Sequence, residues 1–310
     1  MTPLHPQARA VLDEIAASRL VETRPCDIAE LRRLEKVEAK FSGPPQPVAS
    51  VRDVEIAGPA GPLPIRLYVP DVPPPHPTVM FIHGGGWALG SIELSDHVCR
   101  ALCRAANVLV ASVEYRLAPE HPFPAGLDDC FAALQWLRAQ PEVAAIAVCG
   151  DSAGGNLAAA TALLARDHGF NDLALQVLIY PAFDPTLEEP SMQTLATGYG
   201  LTSDDMRCFW EMYLQSPGDA ANPRASPLRE GRLTGVAPAF IVTAEYDPLV
   251  DEGERYARTL EQAGVQATAR RYDGMIHGFV SYLGAVDAAQ TAIDECARAL
   301  EHAMAADGAR

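Results

Sequence analysis

The stretch AVCGDSAGGNLAAA, Ala147 to Ala160, decides how the chain is read. An apolar run ends, one serine stands among small residues, and alanines and leucines resume at once. That is either a tight turn between a buried strand and a buried helix, or a turn built to display Ser152. Residues 150–154, GDSAG, spell G-x-S-x-G, in which a nucleophile sits on a strained strand-to-helix turn and the glycines leave it room. The pattern alone carries little, since average Gly and Ser usage produces it in roughly one chain in ten of this length. The flanks decide: AAIAV before it reads as a strand and NLAAATALLA after it as a helix, which is the setting the turn requires.

Outward from this point the alternation recurs. TVMFI, VLVASVEY, LQVLIYP, AFIVTAEYD and ATARRYD read as strands, separated by helical patterns such as SDHVCRALCRAAN and DEGERYARTLEQAG, several opening on Asp or Ser caps. VEIAGPAGPLPIRLYVP reads as two strands about a Gly-Pro turn at an antiparallel edge. The expectation is an α/β fold with a mostly parallel sheet of about eight strands flanked by helices. Two regions fall outside the rhythm: residues 1–50, ended by FSGPPQPVAS, and residues 188–232, which include TSDDMRCFWEMYLQ. They are expected to form a helical cap over a core of residues 51–187 and 233–310.

Composition agrees with one large domain: 310 residues, 48% of them apolar, can bury a sizeable core. The net charge of -16 and the lack of any Lys/Arg cluster argue against a nucleic-acid partner. No segment approaches the roughly 20 apolar residues of a membrane span, and MTPLHPQARA lacks the apolar centre of a signal peptide. A cytoplasmic protein with no membrane association is expected. The seven cysteines are scattered, with no C-x-x-C pair, which argues against a disulfide framework and predicts mostly buried thiols. Cys99 and Cys103 share a helix face, but a metal site would need more ligands nearby.

A serine hydroxyl is a weak nucleophile at neutral pH, so the reading demands a histidine base oriented by a carboxylate. Of eight histidines, His277 in YDGMIHGF follows the last strand; His5, His76 and His302 fall in tail or linker segments, His97 and His168 on helices, and His121 in a Pro-rich turn. FIVTAEYDPLVDEG places Asp247 in the loop after a strand, with Asp251 and Glu252 as rivals that open the next helix. The order Ser152, Asp247, His277 is that of a nucleophile-elbow hydrolase. FIHGGGWALG supplies a glycine run after a strand, so the amides of Gly84, Gly85 and Ala153 are candidate donors to an oxyanion. A phosphate cradle is the other reading of such a run, but neither GKS, GKT nor G-x-G-x-x-G spacing is present.

HGGGW, EYRLAPEHPFPA, GDSAGGNLAA, DPLVDEG and HGF occur in this order over residues 80–280, and jointly they are specific. The chain resembles the hormone-sensitive-lipase-like carboxylesterases of the α/β-hydrolase fold. The resemblance implies a triad of Ser152, Asp247 and His277, a cap from the two outlying regions, esters of short acyl chains as substrates, no cofactor and no metal. It also implies a homodimer formed through the edge strand nearest the C-terminus. In EYRLAPEHPFPA, Arg116 and Glu120 are read as holding a buried turn rather than as site residues. Trp87, Tyr180, Met206, Phe209 and Trp210 are candidate substrate-pocket residues, against a plain core role for the last three. An arylamide amidase and a non-catalytic small-molecule receptor are the alternative readings of the same fold.

Overall fold

The computed structural model describes residues 1–18 and 26–307; residues 19–25 of the expected cap segment, and the last three residues, lie outside the described residues. The chain opens with two helices, α1 (Pro6–Ser18) and α2 (Ile28–Glu38), the second capped by Asp27, whose side chain accepts from the amides of Ala29 and Glu30. Then come β1 (Ser50–Gly58), β2 (Gly61–Val69), β3 (His76–Ile82), α3 (Ile92–Ala106), β4 (Leu109–Val113), α4 (Ala125–Arg138), β5 (Val143–Asp151) and α5 (Ala153–Asp167). After β6 (Leu173–Ile179), three helices interrupt the alternation: α6 (Pro190–Thr194), α7 (Ser203–Tyr213) and α8 (Pro217–Ala220). The chain closes with β7 (Ala239–Tyr246), α9 (Val250–Gln262), β8 (Ala267–Ile276) and α10 (Asp287–Asp307).

The strands form one sheet in the order β1-β2-β4-β3-β5-β6-β7-β8. β2 pairs antiparallel with β1 and β4, and every other pairing is parallel. Parallel strands joined by crossover helices are covered on both faces, which is why β4 and β6 are buried at every residue. β5 shows the two faces: Val148 joins the core with α4, α5 and α9, while Ala147 and Cys149 point to the core with α3 and α10. His76, expected in a linker, is instead the buried first residue of β3.

The cysteines correct one expectation. Cys26 and Cys208, 182 residues apart in sequence, form a disulfide that joins the start of the α2 region to α7. Local spacing carries no trace of a pair so far apart. The remaining five are buried thiols. Of the two residues expected to hold a buried turn, Arg116 bonds both carboxylate oxygens of Asp129 at 2.8 and 2.9 Å, whereas Glu120 is exposed and pairs with Arg32 of α2.

Candidate active site

β5 runs its apolar residues up to Gly150 and ends at Asp151, and α5 begins at Ala153. Between them Ser152 takes φ 55°, ψ -119°, a conformation that L residues other than glycine rarely adopt. The turn is this tight because α5 starts directly over β3: a Cβ on Gly154 would collide with the Ile82 carbonyl. Ser152 is thereby lifted above the carboxyl ends of the parallel strands, where open α/β sheets place their sites.

His277 and Asp247 reach the same point from the ends of β8 and β7. His277 Nε2 lies 3.0 Å from Ser152 Oγ, and Nδ1 lies 2.7 Å from Asp247 Oδ2. Asp247 is fully buried, and its other oxygen accepts from the Leu249 amide at 2.9 Å, which fixes the carboxylate toward the imidazole. Tyr180, at the end of β6, sets its ring 4.7 Å from that of His277. Asp251 instead accepts from the Ser191 amide, and Glu252 from the Asp184 amide, so neither rival faces the histidine.

The glycine run requires a correction. The Gly84 amide is committed: it donates to Asp151 Oδ1 at 2.9 Å. Gly85 and Gly86, not Gly84, face the cavity beside Ser152, and among the described residues their N–H groups meet no protein acceptor. The glycines of the run that face the cavity are therefore Gly85 and Gly86. The sequence could not reveal this, because Gly84's partner lies 67 positions away on a side chain.

Burial dominates the electrostatics. It pushes the Asp151 carboxyl up to about 6, against the Gly84 N–H bond and the nearby His277. It drives His83 down to about 4, so the imidazole is neutral and donates from Nδ1 to the Gly84 carbonyl. Glu252 is raised well above the usual carboxylate range for the same reason.

The cavity over Ser152 measures about 250 Å³. Tyr180, Met206 and Phe209 line it. Trp87 and Trp210 do not: they are buried behind the wall, 4.2 Å apart, with Tyr213 stacked on Trp87 at 4.4 Å. The opposite wall, Leu12, Ile15 and Leu31 of α1 and α2, was missed; its one sequence signal is an apolar face on helices that no strand is available to cover. A larger cavity, about 740 Å³, opens at the other ends of β6 and β7 and holds none of the residues that meet at Ser152. Among the described residues no three His, Cys, Asp or Glu side chains gather to hold a metal ion, and no helix is long and apolar enough to cross a membrane.

Residues 79–281 match a family model described as alpha/beta hydrolase fold. The chain is 44% identical over 260 residues to the carboxylic ester hydrolase LipN of Mycobacterium tuberculosis, covering 80% of this chain and 69% of the relative. It is 38% identical over 284 residues to an arylesterase of Saccharolobus solfataricus, covering 90% and 92%. Among solved structures, a hyperthermophilic esterase from the archaeon Pyrobaculum calidifontis superposes with a TM-score of 0.90 at 41% identity, covering 97% of this chain and 98% of that one.

Proposed function

The chain belongs to the alpha/beta hydrolase fold family and is a serine carboxylesterase, and we propose that Ser152, His277 and Asp247 carry its chemistry on esters of short acyl chain. The observation that carries this reading is the continuous chain from Ser152 Oγ through both nitrogens of His277 to Asp247, at 3.0 and 2.7 Å.

His277 takes the proton of Ser152 as the hydroxyl attacks the ester carbonyl, and Asp247 holds the imidazole in the tautomer that can accept it and stabilises the cation that forms. The amides of Gly85, Gly86 and Ala153 receive the oxyanion, each donor worth roughly 2.7–4 kcal/mol of barrier. His277 then returns the proton to the departing alcohol. Water, deprotonated by the same nitrogen, cleaves the acyl-enzyme. A cavity of about 250 Å³ between α1, α2 and α7 favours small acyl and alcohol groups.

The described residues of segments 1–50 and 188–232 form the cap in this reading, since both segments supply walls of that cavity. Pairing of two copies along β8, whose outer edge is free in the sheet order, belongs to the same proposal and rests on the family resemblance. The amidase and receptor readings are not favoured, because the relatives above carry esterase names and a base stands at the serine.

Hydrolysis rates on p-nitrophenyl esters of two to sixteen carbons, with wild type beside Ser152→Ala, test the proposal. A serine-dependent maximum at short chains is expected. A rate on long chains alone overturns the substrate class, and wild-type turnover in Ser152→Ala overturns the nucleophile.

A further inference from the structure

Gly84 is held from both sides. Its carbonyl accepts from His83 Nδ1 at 2.8 Å and its amide donates to Asp151 Oδ1 at 2.9 Å. One residue on, the Gly85 carbonyl accepts from the amides of Ala88 and Leu89 at 3.1 and 2.8 Å. These bonds orient the peptide planes of the loop and, among the described residues, leave the Gly85 and Gly86 amides without an acceptor beside Ser152. Among the described residues, the Asp151 bond is the hydrogen bond that ties this loop to the nucleophile turn. The carboxylate also packs directly against the loop, for a Cβ on Gly84 would run into it.

We propose that Asp151 is a positioning residue, aiming the Gly85 and Gly86 amides at the oxyanion through its bond to Gly84, and that it does so best as the carboxylate. The proposal rests on the catalytic reading above and deepens it. Asp151 adjoins Ser152 in sequence, so the nucleophile and the donors opposite it share one anchor.

The groups around Asp151 leave its charge consequential. It faces His277 after β8, Tyr180 after β6, Tyr115 after β4, Cys149 of β5 and Cys99 of α3. Burial raises both phenols and both thiols well above their ordinary values, which keeps them neutral. His277 is then the group whose charge changes during turnover, and its cation is attracted to an ionised Asp151. Burial also sets Asp151 itself at about 6, so mild acid removes its charge. A bond to a charged acceptor is about twice as strong as one to a neutral acceptor, so protonation loosens the anchor.

The test compares wild type, Asp151→Asn and Asp151→Ala on a neutral short-chain p-nitrophenyl ester from pH 5 to 9. It adds the Ki of an alkylboronic acid, which forms a tetrahedral adduct on the serine and so reports the donors' alignment. Asp151→Ala is expected to lower kcat by roughly 10- to 100-fold and weaken the boronate comparably, with KM within about twofold, short of losing a donor outright. Asp151→Asn, whose amide oxygen can still accept from Gly84 but carries no charge, should hold kcat between that of Asp151→Ala and that of wild type and lose the component of the acid limb near pH 6. Wild-type kcat and boronate affinity in Asp151→Ala, or a loss confined to KM, overturns the proposal. If Asp151→Ala does not fold by circular dichroism, Asp151→Asn decides: an acid limb identical to wild type rejects the idea. A wild type inactive on every ester would instead reject the catalytic reading, which separates the two failures.

Discussion

Phe209 of α7 lies so close to Gly86 that a Cβ on the glycine would enter its ring. Beside this contact Trp87, the next residue of the loop, stacks on Tyr213 with the planes 5° apart and meets Trp210 at 4.2 Å. Large rings each bury about 150–250 Å² and pair with defined geometry, so α7 and the glycine loop form one packed unit. The wall of the cavity and the donors for the oxyanion therefore cannot shift independently.

Gly86→Ala should expose that coupling. The residue has φ +57°, which costs a non-glycine residue about 1–2 kcal/mol, and the new methyl must displace Phe209 or the loop. We expect kcat to fall by roughly 100-fold or more, the scale of a lost oxyanion donor, with a smaller change in KM. The double variant Gly86→Ala/Phe209→Ala makes room and should recover part of kcat. Unchanged kcat in the single variant would remove Gly86 from the donor set.

Ser152 stores strain that a stability measurement can read. At φ 55°, ψ -119° a side chain costs about 1–3 kcal/mol, only partly offset by the 0.5–1 kcal/mol entropic cost of a glycine. Ser152→Gly and Ser152→Ala should both be inactive, but the glycine variant should melt higher than the alanine variant by about 2 °C in a chain of this size. Equal melting temperatures would mean that the turn is relaxed.

The parts of this site legible in sequence are those set by local pattern. An apolar strand, a small-residue turn and a helix announce Ser152, and strand ends announce Asp247 and His277. What escaped reading depends on partners far along the chain. The glycine run marks Gly84 as a donor, but its amide is spent on the side chain of Asp151, and Glu120, expected in a buried turn, is drawn out to Arg32, 88 positions earlier. Sequence alone puts Trp87 and Trp210 in the pocket, since an aromatic beside a site looks the same in sequence whether it faces the cavity or the core behind it. Cys26 and Cys208 meet only because the two outlying helical regions converge.

Glu252 gives the protein a pH-dependent stability with a definite sign. It is fully buried, one oxygen accepts from the Asp184 amide at 2.7 Å, and among the described residues the other meets no hydrogen-bond partner of good geometry. Burial first, and the charges of Asp184 and Asp247 after it, raise the carboxyl well above 4.5. The folded state thus keeps a proton that the unfolded state releases, so stability falls as pH rises above about 4.5 toward the folded value. Asp151 acts in the same direction between about 4 and 6. Glu252→Gln keeps an oxygen for the Asp184 amide and cannot titrate. Its urea-unfolding free energy should decline less than that of wild type between pH 6 and pH 9. Parallel declines would show that Glu252 does not hold the proton.

Arg32 fastens α2 over the site and should act on substrate binding more than on chemistry. Both terminal nitrogens meet Glu120 at 2.8 Å, Nε donates to the Ala88 carbonyl at 3.0 Å, and Nη2 also donates to the Ala118 carbonyl at 3.2 Å. An exposed ion pair is worth little by itself, so the two carbonyl bonds, which only a guanidinium fork can make together with the carboxylate, are the stronger part. Leu31, the adjacent residue, lines the cavity, while Ser152, His277 and the glycine amides are anchored elsewhere. Arg32→Ala should therefore raise KM several-fold and leave kcat within about twofold. Arg32→Lys should fail to restore KM, and Glu120→Gln should have a smaller effect because the carbonyl bonds survive. The disulfide to Cys208 holds the start of the same segment, so Cys208→Ser combined with Arg32→Ala should raise KM beyond either change alone. A fall in kcat matching the rise in KM would mean instead that α2 supports the reacting groups, and that its attachment is part of the catalytic geometry.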